Sequence, residues 1–263
     1  MHIQLIRGVT VIDGTGRAPA SDQAVILKDD RIVAVGPATS LAASDAEVID
    51  GRGQTLLPGL INMHAHLCHS GAPGSRNLPR EPDDVQLLRA ARNAMVSLAC
   101  GVTTVRDVGC TGRIGQTVRD AFARGVLIGP RIVSCGRIIT TSARHGWKTG
   151  LRADNAEEMK KAVRTAVEDG VDAIKIAASG GGGTPGSNVG AAQYSVDELR
   201  VAVDEARRFG KRVAVHAIAT DSIRNAVQAG VDTIEHCGWM GPDGRLEVLD
   251  DVISAMLSQG ITV

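Results

Sequence analysis

Two histidines one residue apart end an apolar stretch, residues 56–67. Side chains on a β-strand alternate between its two faces, so His64 and His66 would project to the same side. Imidazole nitrogen is a preferred ligand of zinc and of other transition metals. Their spacing predicts either a metal site at a strand end or a pair of histidines on a solvated strand face.

Three more nitrogen-bearing side chains occur in short apolar segments further along the chain. Lys175 lies inside one such segment, and His216 and His236 end two others. A lone histidine such as His216 is more often a core residue than a ligand. A buried ammonium group is costly, so Lys175 must be paired, neutral or chemically modified. A salt bridge to a carboxylate such as Asp107 is the plain alternative for this lysine.

The elements that would position these residues repeat one unit: an amphipathic helix, a glycine and a short aliphatic strand. Each glycine falls where the C-terminus of a helix needs a left-handed residue before the chain turns into a strand. The six glycines are Gly101, Gly125, Gly170, Gly210, Gly230 and Gly260. The predicted helix starts agree with this repeat: Asp83 and Asp154 are predicted caps, and Ser195 begins a capping box.

Strands that alternate with helices predict a parallel sheet with right-handed crossovers. The predicted strands are 57–66, 102–108, 131–135, 173–178, 213–217, 233–237 and one that begins at Ile261. We therefore expect an α/β fold, an incomplete (β/α)8 TIM barrel with about seven strands present. The carboxyl ends of barrel strands share one face, so the four histidines and Lys175 should converge there.

The domain organisation follows from a change in sequence texture near residue 55. Residues 1–55 carry short strand signals with Gly and Asp between them, and they predict an N-terminal β-sheet that forms half of a composite β-sandwich. Residues 56–263 form the predicted barrel, truncated before strand 8. We expect the chain to be a fragment of a longer gene product.

Composition excludes several classes of partner. Twenty-nine basic and 29 acidic residues leave a formal net charge of zero, and no basic block suits a nucleic acid. No apolar run is long enough to span a bilayer, so no membrane association is expected. Five cysteines without a Cys-x-x-Cys pair favour a reduced, cytoplasmic protein. With 2% aromatic residues, the core should be aliphatic.

Several motifs together resemble the amidohydrolase superfamily, and within it the imidazolonepropionase-related, Xaa-Pro dipeptidase (prolidase)-like branch. They lie at residues 58–66, 101–107, 145–147, 174–176, 179–182, 215–217 and 234–236. The resemblance implies a metal-dependent hydrolase that cleaves an amide or peptide C–N bond in a small acyl-amino acid or dipeptide. Its partner would be this small-molecule substrate, and a homo-oligomer is left open.

The resemblance also implies a binuclear centre with two divalent metal ions, usually zinc. His64 and His66 would hold one ion, His216 and His236 the other, and N-carboxylated Lys175 would bridge both. In the family an aspartate at the end of the eighth strand serves as general base. No aspartate of this sequence matches that motif, so the catalytic base is unassigned.

The same resemblance places His145 near the substrate carbonyl or carboxylate. An exposed loop histidine is the alternative, because surface histidines are common in loops. The sequence departs from relatives at Arg144, where they often have glycine, and at Ile218, where some dipeptidases have tyrosine. Glu235 is predicted to lie on the strand face opposite His236, against the helix layer.

Two other functions remain open. One is a mononuclear deaminase or cyclic-amide hydrolase of the imidazolonepropionase type. Lys175 and the lack of a glutamate after His216 argue against it. The other is a non-catalytic metal-binding protein, since the general-base aspartate is absent from this chain. A phosphate-binding loop at residues 180–183 is rejected, because no Gly-Lys-Ser/Thr follows.

Overall fold

A computed structural model describes residues 2–72 and 81–263 of the chain. The chain divides into two compact units, Met1–Leu60 and Ile61–Val263. No helix within the described residues is both long enough and apolar enough to cross a membrane.

The first unit is a five-stranded sheet. Its strands are β1 (Ile3–Val11), β2 (Ala20–Lys28), β3 (Arg31–Pro37), β4 (Glu47–Asp50) and β5 (Thr55–Leu56). β1 pairs antiparallel with β2 and parallel with β4 and β5, and β3 pairs antiparallel with β2. β1 is continuous from Ile3 to Val11. Gly8 adopts φ +79° where the register shifts, so β1 bulges and continues.

The remaining elements alternate between strands and helices. The strands are β6 (Leu60–Ala65), β7 (Val102–Asp107), β8 (Arg131–Ser134), β9 (Ile139–Thr140), β10 (Leu151–Arg152), β11 (Ile174–Ala177), β12 (Val213–Ala219) and β13 (Thr233–Met240). The helices are α1 (Asp83–Ala99), α2 (Ile114–Ala123), α3 (Ala156–Glu168), α4 (Val196–Arg208), α5 (Thr220–Ala229) and α6 (Asp250–Gln259).

The strands of this part form two sheets. One has the order β6-β7-β8, and the other has the order β10-β9-β11-β12-β13. The pairing is parallel from β7 to β8 and throughout the five-stranded sheet. Thr262 adds an isolated parallel bridge to Thr233 where the seventh strand was predicted. The predicted α/β class is confirmed.

Buried aliphatic side chains join each sheet to its helices. Residues of α3, α4, α5 and α6 pack on the five-stranded sheet around Ile174, Ile176 and Ile234. Residues of α1 and α2 pack on the three-stranded sheet around Val105 and Ile132. Each sheet therefore has its own aliphatic layer, as the low aromatic content predicts.

The glycine pattern is confirmed at every predicted junction. All six glycines have φ between 65° and 85°, the left-handed region that only glycine enters without steric cost. The capping box at Ser195 and Glu198 is also formed. The other two predicted caps are wrong. Asn155 caps α3, because its extended backbone lets its side chain accept from the Glu158 N–H, and Pro82 precedes α1.

Candidate metal centre

His64 and His66 stand at the end of β6, with ring centroids 5.4 Å apart. The Nδ1–H of His66 donates to the carbonyl of Gly109 at 2.9 Å. The Nδ1–H of His64 donates to Glu235 Oε2 at 2.6 Å. An oxygen acceptor on Nδ1 fixes the tautomer and leaves the lone pair of Nε2 free for a metal ion.

His216 and His236 approach from the five-stranded sheet. The His236 ring lies 4.7 Å from that of His64 and 4.6 Å from that of His216, measured between centroids. His216 donates from Nε2 to the carbonyl of Gly180 at 2.9 Å, which leaves its Nδ1 as the ligand atom. The structure thus brings together all four histidines predicted from the sequence, two from each sheet.

Loss of hydration controls the protonation of three of these rings. Burial lowers the pKa of His66 to about 4 and that of His216 to about 3, and desolvation of the ring lowers the pKa of His236, an exposed residue overall, to about 4. Each ring is therefore neutral near pH 7, which is the form that binds a metal ion. Repulsion from neighbouring histidines and from Lys175 acts in the same direction.

Lys175 lies on β11, and 2% of its surface is exposed. Its Nζ has no hydrogen-bond partner among the described residues. Burial lowers the pKa of this amine to about 8, although Glu235 and Cys135 act to raise it. The plain alternative, a salt bridge to Asp107, is not formed, since the Oδ2 of Asp107 also lacks a partner within the described chain.

The four histidine rings lie close together, but they do not surround a metal position. Within residues 2–72 and 81–263, no three His, Cys, Asp or Glu side chains already converge as a ligand set. The ring centroids nevertheless lie within 4.6–5.4 Å of one another along the path from His66 through His64 and His236 to His216. Three imidazoles, those of His64, His66 and His216, each have one ring nitrogen held by an oxygen acceptor, and with the unpartnered amine of Lys175 they fit a metal centre by their donor chemistry.

The predicted position of Glu235 on the strand is wrong. Glu235 does not face the helix layer: it is 6% exposed, contacts His64, and forms an ion pair with Arg106. Its neighbour His236 has φ +71°, so the alternation of side chains along β13 fails there and both residues contact His64. Burial acts to raise the pKa of Glu235, but the His64 hydrogen bond and the charges of Lys175 and Arg106 lower it to about 2.

His145 lies beside His216, with ring centroids 4.5 Å apart and a 26° angle between the planes. It is half-buried, in contrast to the exposed loop histidine of the alternative reading. A Cβ on Gly181 would come within 2.6–2.8 Å of the His145 ring, so only glycine allows this approach. The backbone N–H of His145 donates to Gln193 Oε1 at 3.2 Å. Arg144, next to it, is exposed.

Sequence reasoning missed two residues beside the site. The ring of His69 stacks on that of His66 at 5.0 Å, and Arg106 forms the ion pair with Glu235. The position of His69, three residues after His66, was the available signal for the first. Arg106 belonged to a motif used for the resemblance but received no role.

A family model described as "Amidohydrolase family" matches residues 55–263. The chain belongs to the amidohydrolase family. The predicted superfamily is therefore confirmed, and prolidases are among the structural relatives of this amidohydrolase.

Curated relatives include ochratoxinase from Aspergillus niger, 27% identical over 90% of this chain and 55% of the relative. Imidazolonepropionase from Idiomarina loihiensis is 41% identical over 27% of this chain and 18% of the relative. The amidohydrolase chain spans about half the length of the ochratoxinases it matches.

Solved structures of hydrolases also resemble this chain over nearly its whole length. A crystal structure of a Xaa-Pro dipeptidase with methionine bound in its active site has a TM-score of 0.86 and 30% identity, over 99% of this chain and 66% of that one. The crystal structure of A. niger ochratoxinase has a TM-score of 0.82 and 26% identity, over 99% and 64%.

Proposed function

We propose that this amidohydrolase is a metal-dependent hydrolase that cleaves the amide or peptide C–N bond of a small acyl-amino acid or dipeptide. One observation carries the proposal: four histidine rings from two sheets gather beside the buried amine of Lys175. Relatives named ochratoxinase, Xaa-Pro dipeptidase and prolidase support the substrate class.

The histidines divide between two metal positions. His64 and His66 would hold one divalent ion and His216 and His236 the other, with zinc preferred by this donor set. The hydrogen bonds to Gly109, Gly180 and Glu235 support this division, because each leaves the opposite ring nitrogen available.

Lys175 would supply the bridge after carboxylation. Its neutral amine attacks carbon dioxide, a C–N bond forms, and one proton leaves to solvent, which gives a carbamate with two oxygen ligand atoms. The buried amine suits this reaction, because the lowered pKa increases its neutral fraction and no described side chain accepts a hydrogen bond from it. A carbamate anion would also replace an unpaired buried cation by a ligated group.

When bound, the two ions would lower the pKa of a water molecule and polarise the scissile carbonyl. His145 would donate a hydrogen bond to the substrate carbonyl or carboxylate from its position against His216. The buried surroundings of Lys175 would keep bulk water from the bridge. All five cysteines are free thiols, which supports a reducing, cytoplasmic compartment.

The test compares wild type with Lys175→Ala, and with Lys161→Ala as a control on the exposed side of α3. Zinc content is measured after reconstitution in bicarbonate, and the carbamate by its 13C signal after labelling with 13C-bicarbonate. We expect up to two zinc ions in wild type. Lys175→Ala should lose the carbamate signal, most zinc at the bridged site and more than about 100-fold of any hydrolysis, since even outer-shell changes cost 10–100-fold.

Hydrolysis is assayed on N-acyl amino acids and dipeptides, with a cyclic amide and an aminopurine as competing substrates. A wild-type protein without zinc, although His64 and His66 are intact, would reject the metal centre. Equal zinc in Lys175→Ala would indicate a mononuclear enzyme. Zinc without turnover of any substrate would indicate a non-catalytic metal-binding protein.

A further inference from the structure

A buried carboxylate, Glu235, connects the two sheets at the candidate metal centre. Its Oε2 accepts the Nδ1–H of His64, which ends β6 in the three-stranded sheet, at 2.6 Å. Its Oε1 accepts from Arg106 Nη2 and from the hydroxyl of Thr233. Glu235 itself lies on β13 of the other sheet, so its contacts cross from one sheet to the other.

Arg106 determines which Glu235 oxygen faces His64. Its Nε donates to the carbonyl of Met63 at 2.7 Å, and its Nη1 donates to the Thr233 hydroxyl at 3.1 Å. With Nη2 on Oε1, the guanidinium fixes the carboxylate and also the backbone next to His64. Oε2 is left to accept from the imidazole, and an oxygen that can only accept requires the proton to be on Nδ1.

We infer that Glu235 is the positioning residue for His64. It holds the His64 proton on Nδ1, directs Nε2 towards the metal position and keeps this ligand in register with His236, the next residue of β13. The inference rests on the proposed function for the metal itself, but the tautomer of His64 can be measured without metal. Carboxylates that accept from a ligand histidine orient the ring and raise its basicity.

The key variant is Glu235→Gln, which keeps the shape of the side chain. Beside the cationic Arg106 the amide oxygen should face the guanidinium, so the amide NH2 faces His64. Nδ1 must then accept, and the proton moves to Nε2, the nitrogen intended for the metal. In the double variant Arg106→Met/Glu235→Gln the amide can turn over, because its NH2 can donate to the Thr233 hydroxyl and its oxygen can accept from His64.

The matched control is Glu205→Gln on α4. Glu205 is 3% exposed and forms ion pairs with Arg164 and Arg208. Losing this charge tests the cost of removing a buried carboxylate away from the metal centre.

Three measurements are made on the full chain. The 15N shifts of metal-free protein report the His64 tautomer, with His64→Gln as the assignment variant. Competition with a chromophoric chelator gives the Zn2+ affinity, and the visible spectrum of the Co2+ form reports ligand geometry. We expect Nδ1–H in wild type and Nε2–H in Glu235→Gln, with a Zn2+ affinity more than about 10-fold weaker and an altered Co2+ spectrum.

The double variant should recover the Nδ1–H tautomer and a Zn2+ affinity within a few-fold of wild type, and Glu205→Gln should match wild type. The inference is overturned if Glu235→Gln keeps the Nδ1–H tautomer, or if single and double variants lose affinity equally. If wild type shows the Nδ1–H tautomer but binds no Zn2+, the proposed function fails while the positioning of His64 stands.

If Glu235→Gln does not fold, Glu235→Asp takes its place. The shorter carboxylate can keep the Arg106 ion pair but withdraws from His64, so the Nδ1–H preference and the Zn2+ affinity should both fall. Wild-type values for Glu235→Asp would overturn the inference.

Discussion

At Asp107, burial outweighs the hydrogen bonds that act to lower the pKa of its carboxyl. Its side chain is completely buried, Oδ1 accepts from the Leu67 N–H at 3.2 Å, and Oδ2 has no hydrogen-bond partner within the described residues. Burial raises the pKa of this carboxyl to about 6 from its ordinary value of 3.8. The folded state therefore holds this proton more tightly than the unfolded state does. Its contribution to stability is complete below pH 3.8 and is lost as the pH rises through 6.

Asp107→Asn should stabilise the protein at pH 8, because it removes a buried charge and keeps an oxygen for the Leu67 N–H. We expect a gain of up to about 3 kcal/mol at pH 8, which falls between pH 6 and pH 4 and disappears below that. Urea unfolding across this pH range measures it. The exposed Asp204→Asn is the control and should show no such pH dependence. An equal gain for Asp107→Asn at pH 4 and pH 8 would contradict the buried charge.

At the scale of elements, α4 has a complete N-terminal cap. The Ser195 hydroxyl accepts from the Glu198 N–H at 3.3 Å, and the Glu198 carboxylate accepts from the Ser195 N–H at 2.8 Å. Both groups satisfy N–H donors that the first turn of a helix leaves without intrahelical partners.

Ser195→Ala should lower the free energy of unfolding by about 1 kcal/mol, since it removes one half of the box. Chemical denaturation followed by circular dichroism gives the value. Ser258→Ala at the exposed end of α6 is the matched control, and should change stability by less than about 0.5 kcal/mol. If the two variants are equally stable, the cap contributes nothing.

β13 departs most from regular strand geometry. His236, Cys237 and Trp239 have φ of 71°, 44° and 51°, values that side chains other than glycine adopt at a cost of order 1–3 kcal/mol each. In this conformation the His236 ring lies 4.7 Å from that of His64, and the preceding residue, Glu235, is hydrogen-bonded to the same histidine. Strain of this kind is found at functional sites, where the surrounding contacts hold the backbone in an unfavourable conformation. This agrees with the proposed ligand role of His236.

At the scale of the whole molecule, the fold hides most of the thiols. Cys68 and Cys110 are each 4% exposed and Cys135 is 0% exposed, whereas Cys100 is exposed at the C-terminus of α1. Cys237 is partly exposed. The pattern of reactive cysteines is therefore a measure of the tertiary structure.

When native protein is treated with a chromogenic disulfide reagent, each cysteine that reacts releases one equivalent of the coloured thiolate. We expect one equivalent quickly, from Cys100, and a second slowly, from Cys237. The denatured chain should release five, its full cysteine content. Cys100→Ser should remove the fast phase and leave the others unchanged. Three or more fast equivalents in native protein would contradict the burial of the remaining cysteines.

The amino-acid sequence by itself determined the alternation of helix, glycine and strand, and the identity of the histidines at the strand ends. These features depend on local rules: glycine is the residue that ends a helix in the left-handed region, and extended strands alternate their faces. The six glycine positions and the placement of His64 and His66 on one strand face followed from those rules, whereas the convergence with His216 and His236 was expected only from the barrel fold, in which strand ends share one face.

Only the tertiary structure decided which groups meet across the sheets. Glu235 was assigned to the wrong face, because alternation predicts one face for Glu235 and the other for His236, and a positive φ at His236 is not visible in the sequence. The bond from His64 to Glu235 joins residues 171 positions apart, and Lys175 stays unpartnered although Asp107 was available in the sequence. Such partners depend on how separate sheets pack, which no local spacing specifies.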